Sequence, residues 1–456
     1  MENVISFINS NKDQYVEELK NFLRIPSIST NPENKADMTR CAEYVSSQMN
    51  KSGLQNIQIF PTDGHSIVYG EWLGAPGKPT ILFYGHYDVQ PVDPIELWSS
   101  GPFEPTIKDG YIYARGSSDD KGQVFLNLKS VEAHMKVNGK LPVNVKFMIE
   151  GEEEIGSENL EKFISTQKEL LKADVVLVSD TSFFDDEKPS IAYGLRGLCY
   201  MQIDLTGPNR DLHSGVYGGA VGNPINELAN IISKLKDKNG KITIPGFYDK
   251  VRPLTKAERD AYKKLPFSKK VYFKDLGIKE TFGEKGYSIL EQVSGRPCLD
   301  CNGIWGGFQG EGAKTVLPSK ASAKISMRLV PNQTPQQIGK LFEKHVKKLC
   351  PKTMQITVTE LHGGYPAITD ITTKEIIAAS NALFKVFKKK PLFAREGGSI
   401  PVIASFERLL GLKSVLMGFG LDTDAIHSPN ERFKLDNFHR GIQSVALFYD
   451  ELAKMS

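Results

Sequence analysis

Apolar residues fall along this chain in two textures. From the N-terminus to about Ile191, short apolar runs end abruptly at polar residues. Ile81 to Tyr84 is one such run, closed by Gly85 and followed at once by His86 and Asp88. Val143 to Ile149 is a second, ending at Glu150, and Val175 to Val178 a third, followed by Asp180. Runs of this kind belong to strands buried on both faces, as central parallel strands are. Segments of helical spacing lie around them. Ile5, Ile8, Tyr15, Leu19, Phe22 and Leu23 recur at that period until Pro26, which cannot continue a helix. Ala42, Val45 and Met49 mark a second helix before Gly53, and Ile57 to Phe60 reads as a strand. Val124, Leu128, Val131 and Met135 stripe a helix from about Gly122 to Val137. Helices alternating with buried strands predict an α/β layer whose mainly parallel sheet is flanked by helices. Ligands gather at the carboxyl ends of strands in such sheets. His86, Asp88, the acidic run from Glu150 and Asp180 all stand at such ends.

Beyond Ile191 the texture changes. Residues 198–206 and 320–330 alternate partly between apolar and polar, as strands with one covered face do. Asn223-Pro224 opens an amphipathic helix carrying Ile225, Leu228, Ile231, Ile232 and Leu235, and a second helix runs from about Pro335 to Leu349. Two helices on one face of a small antiparallel sheet make an α+β layer. Residues 238–295, rich in Lys, Gly and Pro, read as an elaboration of it. The first texture returns near Ala367 and closes with a helix through Ile442, Val445, Phe448 and Leu452. The expected organisation is a large α/β domain in two parts, 1–192 and 365–456, interrupted by a smaller α+β domain over 193–364.

Composition narrows the function. A chain of 456 residues suggests about two or three domains. Its 57 basic and 54 acidic side chains nearly balance, for a net charge of +3, so no concentrated basic face for nucleic acid or a membrane surface is expected. No basic segment leading into an apolar core opens the chain, and no apolar run approaches the ~18 residues that span a bilayer. The five cysteines are an odd number without disulfide-scaffold density; Cys298 and Cys301 form a lone C-x-x-C best read as incidental thiols. A reducing cytoplasm is the expected compartment.

The candidate chemistry comes in blocks. His86-x-Asp88 alone says little. In residues 114–122, Asp119 and Asp120 stand side by side before a helix start; they either cap that helix or meet a metal. Glu150 to Glu154 places four carboxylates in five positions after a buried strand, where a solvated acidic loop is the ordinary alternative. Residues 424–430 bring a second histidine, His427. Two histidines and several carboxylates, with few cysteines near them, form a nitrogen–oxygen donor set suited to zinc or manganese in a hydrolytic site.

These blocks, with others, carry a resemblance. The chain contains G-H-Y-D-V-Q-P (85–91), R-G-S-S-D-D-K-G (115–122), E-G-E-E-E-I-G-S (150–157), L-V-S-D (177–180), R-D-L-H-S-G (210–215), K-T-V-L-P (314–318), R-L-V-P (328–331), R-E-G-G-S-I-P (395–401) and H-S-P-N-E (427–431). In this order they resemble the dinuclear zinc metallopeptidases of the carnosinase and cytosolic nonspecific dipeptidase family, relatives of aminoacylases, acetylornithine deacetylase and succinyl-diaminopimelate desuccinylase. The resemblance covers about residues 80–432. It implies a catalytic domain interrupted by a lid and dimerisation domain, and two divalent metal ions per subunit, zinc first, with manganese or cobalt as alternatives. One metal is assigned to His86 and Asp180, the other to Glu154 and His427, with Asp119 bridging. Asp88 is implied to steady the His86 ring, and Glu153 to be the general base. His213 is similar to a histidine that reaches into the partner subunit's site and stabilises the oxyanion. Thr315, Arg328 and Ser399 match substrate-holding positions, Arg328 and Ser399 through the substrate carboxylate, for which an arginine fork is suited; strand alternation alone leaves Arg328 a surface-pairing arginine.

Asp at position 180 resembles the dipeptidase branch. Two departures are Glu152, where relatives often carry an uncharged residue, and the bulky Ile155; extra charge near the metals is expected to bear on substrate preference. The resulting expectation is a cytoplasmic, homodimeric dipeptidase acting on short unblocked peptides such as Xaa-Gly or carnosine-like dipeptides. An N-acyl-amino-acid deacylase is the alternative, and a silent binding protein on the same fold a third reading.

Overall fold

The computed structural model describes every residue except Asp185, Ser399 and Ser456, together with the side chain of Pro401. The chain divides into two compact units: Met1–Tyr193, Thr369–Ala394 and Ser405–Ser456 form the first, Gly194–Ile368 and Arg395–Ala404 the second.

In the first unit a twisted sheet runs in the order Gln55–Phe60, Ile67–Trp72, Asn144–Glu150, Thr80–His86, Val175–Val178, Ser414–Leu416, Ser190–Leu195. The three expected buried strands lie side by side at its centre. Thr80–His86 pairs in parallel with both neighbours, and Ser414–Leu416 extends the parallel core from Val175–Val178. The flanks are antiparallel: Gln55–Phe60 with Ile67–Trp72, Ile67–Trp72 with Asn144–Glu150, and Leu416 opposite Ala192. The sheet is therefore mixed, with a parallel middle. Ile67–Trp72 and Ser414–Leu416 were not apparent in the apolar pattern. The first is interrupted by Gly70 and Glu71, and the second is only three residues long.

The helix Lys121–Asn138 lies directly against the sheet and is buried on nearly every side. It ends at Gly139, whose left-handed φ of 65° suits a residue without a Cβ. The helix Leu435–Lys454 packs on it, and the two are stitched by Ser130 Oγ donating to the Ile442 carbonyl at 2.9 Å. Lys129, buried in the same helix, is paired with Glu18 and Glu132 and lies over the rings of Tyr15 and Phe125. That pairing offsets the cost of burying its charge.

The second unit holds an antiparallel sheet in the order Cys298–Gly306, Lys320–Leu329, Gly197–Thr206, Gln355–Gly364. Gly197–Thr206 and Lys320–Leu329 pair without a break from Gly197 opposite Leu329 to Thr206 opposite Lys320. Alternate residues of Gly197–Thr206 are buried, among them Cys199, Met201, Ile203 and Leu205. The helices Pro224–Ser233 and Pro335–Leu349 cover that face with Leu228, Ile231, Ile338 and Phe342. Residues 238–295 add the helices Lys256–Lys264, opened by a Thr255–Glu258 capping box, and Lys269–Asp275. No described helix is long and apolar enough to cross a membrane.

Candidate active site

Adjacent strand ends supply the first side chains. His86 closes its strand opposite Glu150, the last residue of the parallel neighbour. The Tyr87 N–H donates to the Glu150 carbonyl at 2.8 Å, which fixes where the chain leaves the sheet. Asp180 follows Val175–Val178 on the other side. Asp119 comes from the turn before Lys121–Asn138, and Glu153 and Glu154 from a single turn of 3-10 helix, Glu153–Ile155. His427 lies in a turn between the short strands Gly420–Leu421 and Arg432–Lys434.

Asp119 stands at the centre. Its Oδ1 lies 3.1 Å from His86 Nε2 and its Oδ2 2.9 Å from His427 Nε2. Asp180 Oδ2 is 3.9 Å from His86 Nε2, and Glu154 Oε2 is 3.1 Å from His427 Nε2. Two donor groups result, His86–Asp119–Asp180 and Asp119–Glu154–His427, each with its ligand atoms within 4.8 Å of one another. Asp119 belongs to both.

A further layer holds these side chains in place. The other ring nitrogen of His86, Nδ1, lies 3.1 Å from the Asp88 carbonyl and 3.3 Å from Asp88 Oδ1. Asp88 Oδ2 accepts the Glu154 N–H at 3.1 Å, and Gln90 Nε2 donates to Glu154 Oε2 at 2.8 Å. Asp120 occupies the N-cap position of its helix but makes no capping bond; its Oδ2 accepts the His86 N–H at 3.2 Å. The capping alternative for the Asp119-Asp120 pair is thus not what either side chain does. Glu150 accepts from Tyr84 and Ser157. Glu152 is buried and accepts from the His65 N–H and from Asn159, so its charge is met by hydrogen bonds on the sheet's rim.

Electrostatics shows what this arrangement lacks. Burial pushes Asp180 up to about 7, with Asp119 adding to the effect and His86 opposing it. Burial also raises Glu154, and Asp119 adds to it. Glu153 is held well above the usual carboxylate range, by burial first and by Asp180, Glu154 and Asp119 against the pull of His86. Its carboxylate makes no hydrogen bond to another described residue. Burial alone would lower His86, but Asp119 and Asp88 hold it well above its ordinary value; Asp119 and Glu154 hold His427 up to about 10. The site carries more buried negative charge than its two histidines can balance. Nitrogen and carboxylate donors at this spacing, with a shared carboxylate, fit a pair of divalent cations.

The remaining expected site residues lie in the second unit. His213 ends the two-residue strand Leu212–His213 opposite Val316, and the Ser214 N–H donates to the Thr315 carbonyl at 3.1 Å. His213 and Thr315 are therefore neighbours, and both side chains are exposed. Arg328 is half-buried in Lys320–Leu329, between Leu198 and Cys298 on the flanking strands. Ser399 lies outside the described residues. Cys298 and Cys301 are free thiols, and neither belongs to a metal-ligating cluster among the described residues.

Sequence reasoning gave no role to Glu431 and Asp424, two carboxylates buried beside the Asp119 turn. The spacing of Glu431, four positions after His427, was visible but unremarkable in a polar loop.

Comparison with known proteins agrees with this geometry. The model of peptidase family M20/M25/M40 matches residues 82–451. This chain belongs to that family. A Cys-Gly metallodipeptidase, dug1, of Schizosaccharomyces pombe is 35% identical over 471 residues, covering 100% of this chain and 99% of the relative. The crystal structure of human carnosine dipeptidase 1 superimposes with a TM-score of 0.84 at 30% identity, over 99% of this chain and 98% of that one. An M20 family metallo-carboxypeptidase of Sulfolobus solfataricus, Sso-CP2, superimposes with a TM-score of 0.86 at 35% identity, over 97% and 99% of the two chains. This M20 peptidase is a metal-dependent hydrolase of peptide bonds, of the dipeptidase kind.

Proposed function

We propose that this peptidase cleaves short, unblocked dipeptides, of the Xaa-Gly and β-alanyl-histidine kinds, with water as nucleophile and Glu153 as general base. The observation that carries the reading is the Asp119 carboxylate, which offers one oxygen to the His86 group and the other to the His427 group. Two divalent cations held by these groups would acidify a water and polarise the scissile carbonyl. Zinc is the proposed metal, with manganese and cobalt as alternatives for the same donors.

The protein's own part is positioning and proton transfer. Glu153 shares a turn with Glu154 and lies in the field of His86, Asp180 and Asp119, and its carboxylate is uncommitted to any other described side chain. It takes the proton of the attacking water as the oxygen bonds to the carbonyl carbon. It returns that proton to the leaving nitrogen as the carbon–nitrogen bond breaks. Asp88 keeps the His86 ring oriented by occupying its second nitrogen.

Substrate contacts are proposed from the motifs of the second unit. Arg328 and Ser399 hold the substrate carboxylate, Thr315 supports its backbone, and His213, acting across a homodimer, steadies the oxyanion in the partner subunit's site. The smaller domain, about 193–364, serves as lid and dimerisation domain. The free state of the cysteines supports a reducing, cytoplasmic location.

An N-acyl-amino-acid deacylase is not favoured, because the similar proteins carry peptidase names. A carboxypeptidase acting on longer peptides has the Sulfolobus relative in its favour. Turnover of Cys-Gly, β-alanyl-histidine, a tripeptide and N-acetylated amino acids, each with zinc and with manganese, separates the readings. The dipeptides are expected to turn over fastest. Turnover confined to the acetylated series or to the tripeptide would overturn the proposal.

A further inference from the structure

The turn that presents Asp119 and the loop that presents His427 are tied together by two buried carboxylates. Glu431 is fully buried and accepts four hydrogen bonds. Its Oε1 accepts the backbone N–H groups of Ser118 at 3.0 Å and Asp119 at 3.1 Å. Its Oε2 accepts the Gly116 N–H at 2.9 Å and Arg115 Nη1 at 2.7 Å. Asp424, equally buried, accepts from Ser118 Oγ at 3.1 Å and from the Leu421 N–H at 2.8 Å. Both bonds of Asp424 fall on Oδ2, whereas the four donors of Glu431 occupy both of its oxygens; a buried carboxylate filled in this way by fixed donors has one favourable position.

The loop between these two anchors is strained. Ala425, His427 and Asn430 have φ of 57°, 60° and 64°, left-handed values that asparagine tolerates but that alanine and histidine adopt only at a cost. Asn430 is pinned in turn, accepting the Ser99 N–H at 2.7 Å and donating to the Leu97 carbonyl at 2.8 Å. Strain of this kind persists where the surroundings over-determine the backbone. The other donors are set differently. His86 and Asp180 leave adjacent strands of the sheet, and Glu154 is held by Asp88 and Gln90.

We propose that Glu431, assisted by Asp424, is a positioning residue that sets His427 against Asp119 and so governs one cation position, that of the Asp119–Glu154–His427 group. The inference rests on the reading that both donor groups hold cations. Carboxylates that orient metal ligands in this way typically change affinity by about 10–100-fold when altered.

Cobalt titration of the metal-stripped protein tests it, with absorption spectra and chelator competition as readouts and the melting temperature of each stripped variant as a check on folding. The wild type should take up two cobalt ions in two spectral increments. Glu431→Gln should weaken the increment that His427→Ala abolishes about tenfold or more, and weaken the increment that His86→Ala abolishes less, since Asp119 serves both groups. Should Glu431→Gln not fold, Ser118→Ala and Asp424→Asn remove single tethers, and each should weaken the same increment severalfold. Equal affinities in variant and wild type, or equal losses at both increments, would overturn the positioning role. A wild type that takes up fewer than two cobalt ions would instead refute the two-cation reading beneath it.

Discussion

Asp88 and Glu154 are joined across 66 positions of sequence by one hydrogen bond, from the Glu154 N–H to Asp88 Oδ2 at 3.1 Å. The other oxygen of Asp88 lies 3.3 Å from His86 Nδ1. One carboxylate thus relates a side chain of the first donor group to a side chain of the second. Asp88→Asn would remove the carboxylate charge from between the His86 ring, whose Nδ1 also meets the Asp88 carbonyl, and the Glu154 N–H. A loss of about 10–100-fold in metal affinity, with the fold retained, is expected by chelator competition. Unchanged affinity would remove Asp88 from this role.

Gly85 allows the strand end to meet the start of the helix Lys121–Asn138. A Cβ there would lie 2.6 Å from Val124 Cγ2 and 2.7 Å from Asp120 Oδ2. Both neighbours are buried, so neither can withdraw into solvent. Gly85→Ala is expected to destabilise the protein by about 1–3 kcal/mol, read as a lower melting temperature. Because Asp120 also holds the His86 N–H, metal affinity should fall with it. A variant as stable as the wild type would show that the contact relaxes freely.

His439 should make stability depend on pH. Burial, with the nearby positive charge of Lys12, lowers it to about 4, against about 6.5 for an unperturbed histidine. Below pH 6.5 the unfolded chain binds a proton that the folded protein refuses. Its contribution is therefore full above pH 6.5, falls as the pH drops toward 4, and is constant below that. For the metal-free protein, the wild type should lose on the order of 1–2 kcal/mol more than His439→Phe over this interval, allowing for partial exposure of the ring. Denaturant unfolding at pH 7, 5.5 and 4.5 provides the comparison, and parallel losses in the two proteins would refute it.

His213 offers a test of assembly. Inactive His213→Ala and Glu153→Ala subunits, mixed and re-equilibrated, should regain part of the wild-type turnover if His213 serves the partner subunit's site. Verified mixed dimers without activity would place it in its own subunit's chemistry or outside the reaction.

Much of this architecture was legible in sequence for a physical reason. Strands buried on both faces must be apolar throughout, so Ile81–Tyr84, Val143–Ile149 and Val175–Val178 stood out, and the candidate ligands at their ends stood out with them. The Ser414–Leu416 strand did not, because its place beside Val175–Val178 is decided by pairing across more than half the chain. The H-S-P-N-E block drew attention to His427, whereas three of the four bonds to Glu431 come from the backbone N–H groups of Gly116, Ser118 and Asp119, which no side-chain pattern reports. The mixed character of the sheet was hidden for the same reason, since strand direction depends on how the chain returns.

Dipeptide hydrolysis here is proposed to need both cations and the Glu153 carboxylate. Glu153→Gln, with metal content and Cys-Gly turnover measured on the same sample, separates the two contributions. Two metal ions per subunit, as in the wild type, are expected, with turnover reduced by about 10²–10⁴-fold. Full metal content with undiminished turnover would contradict it.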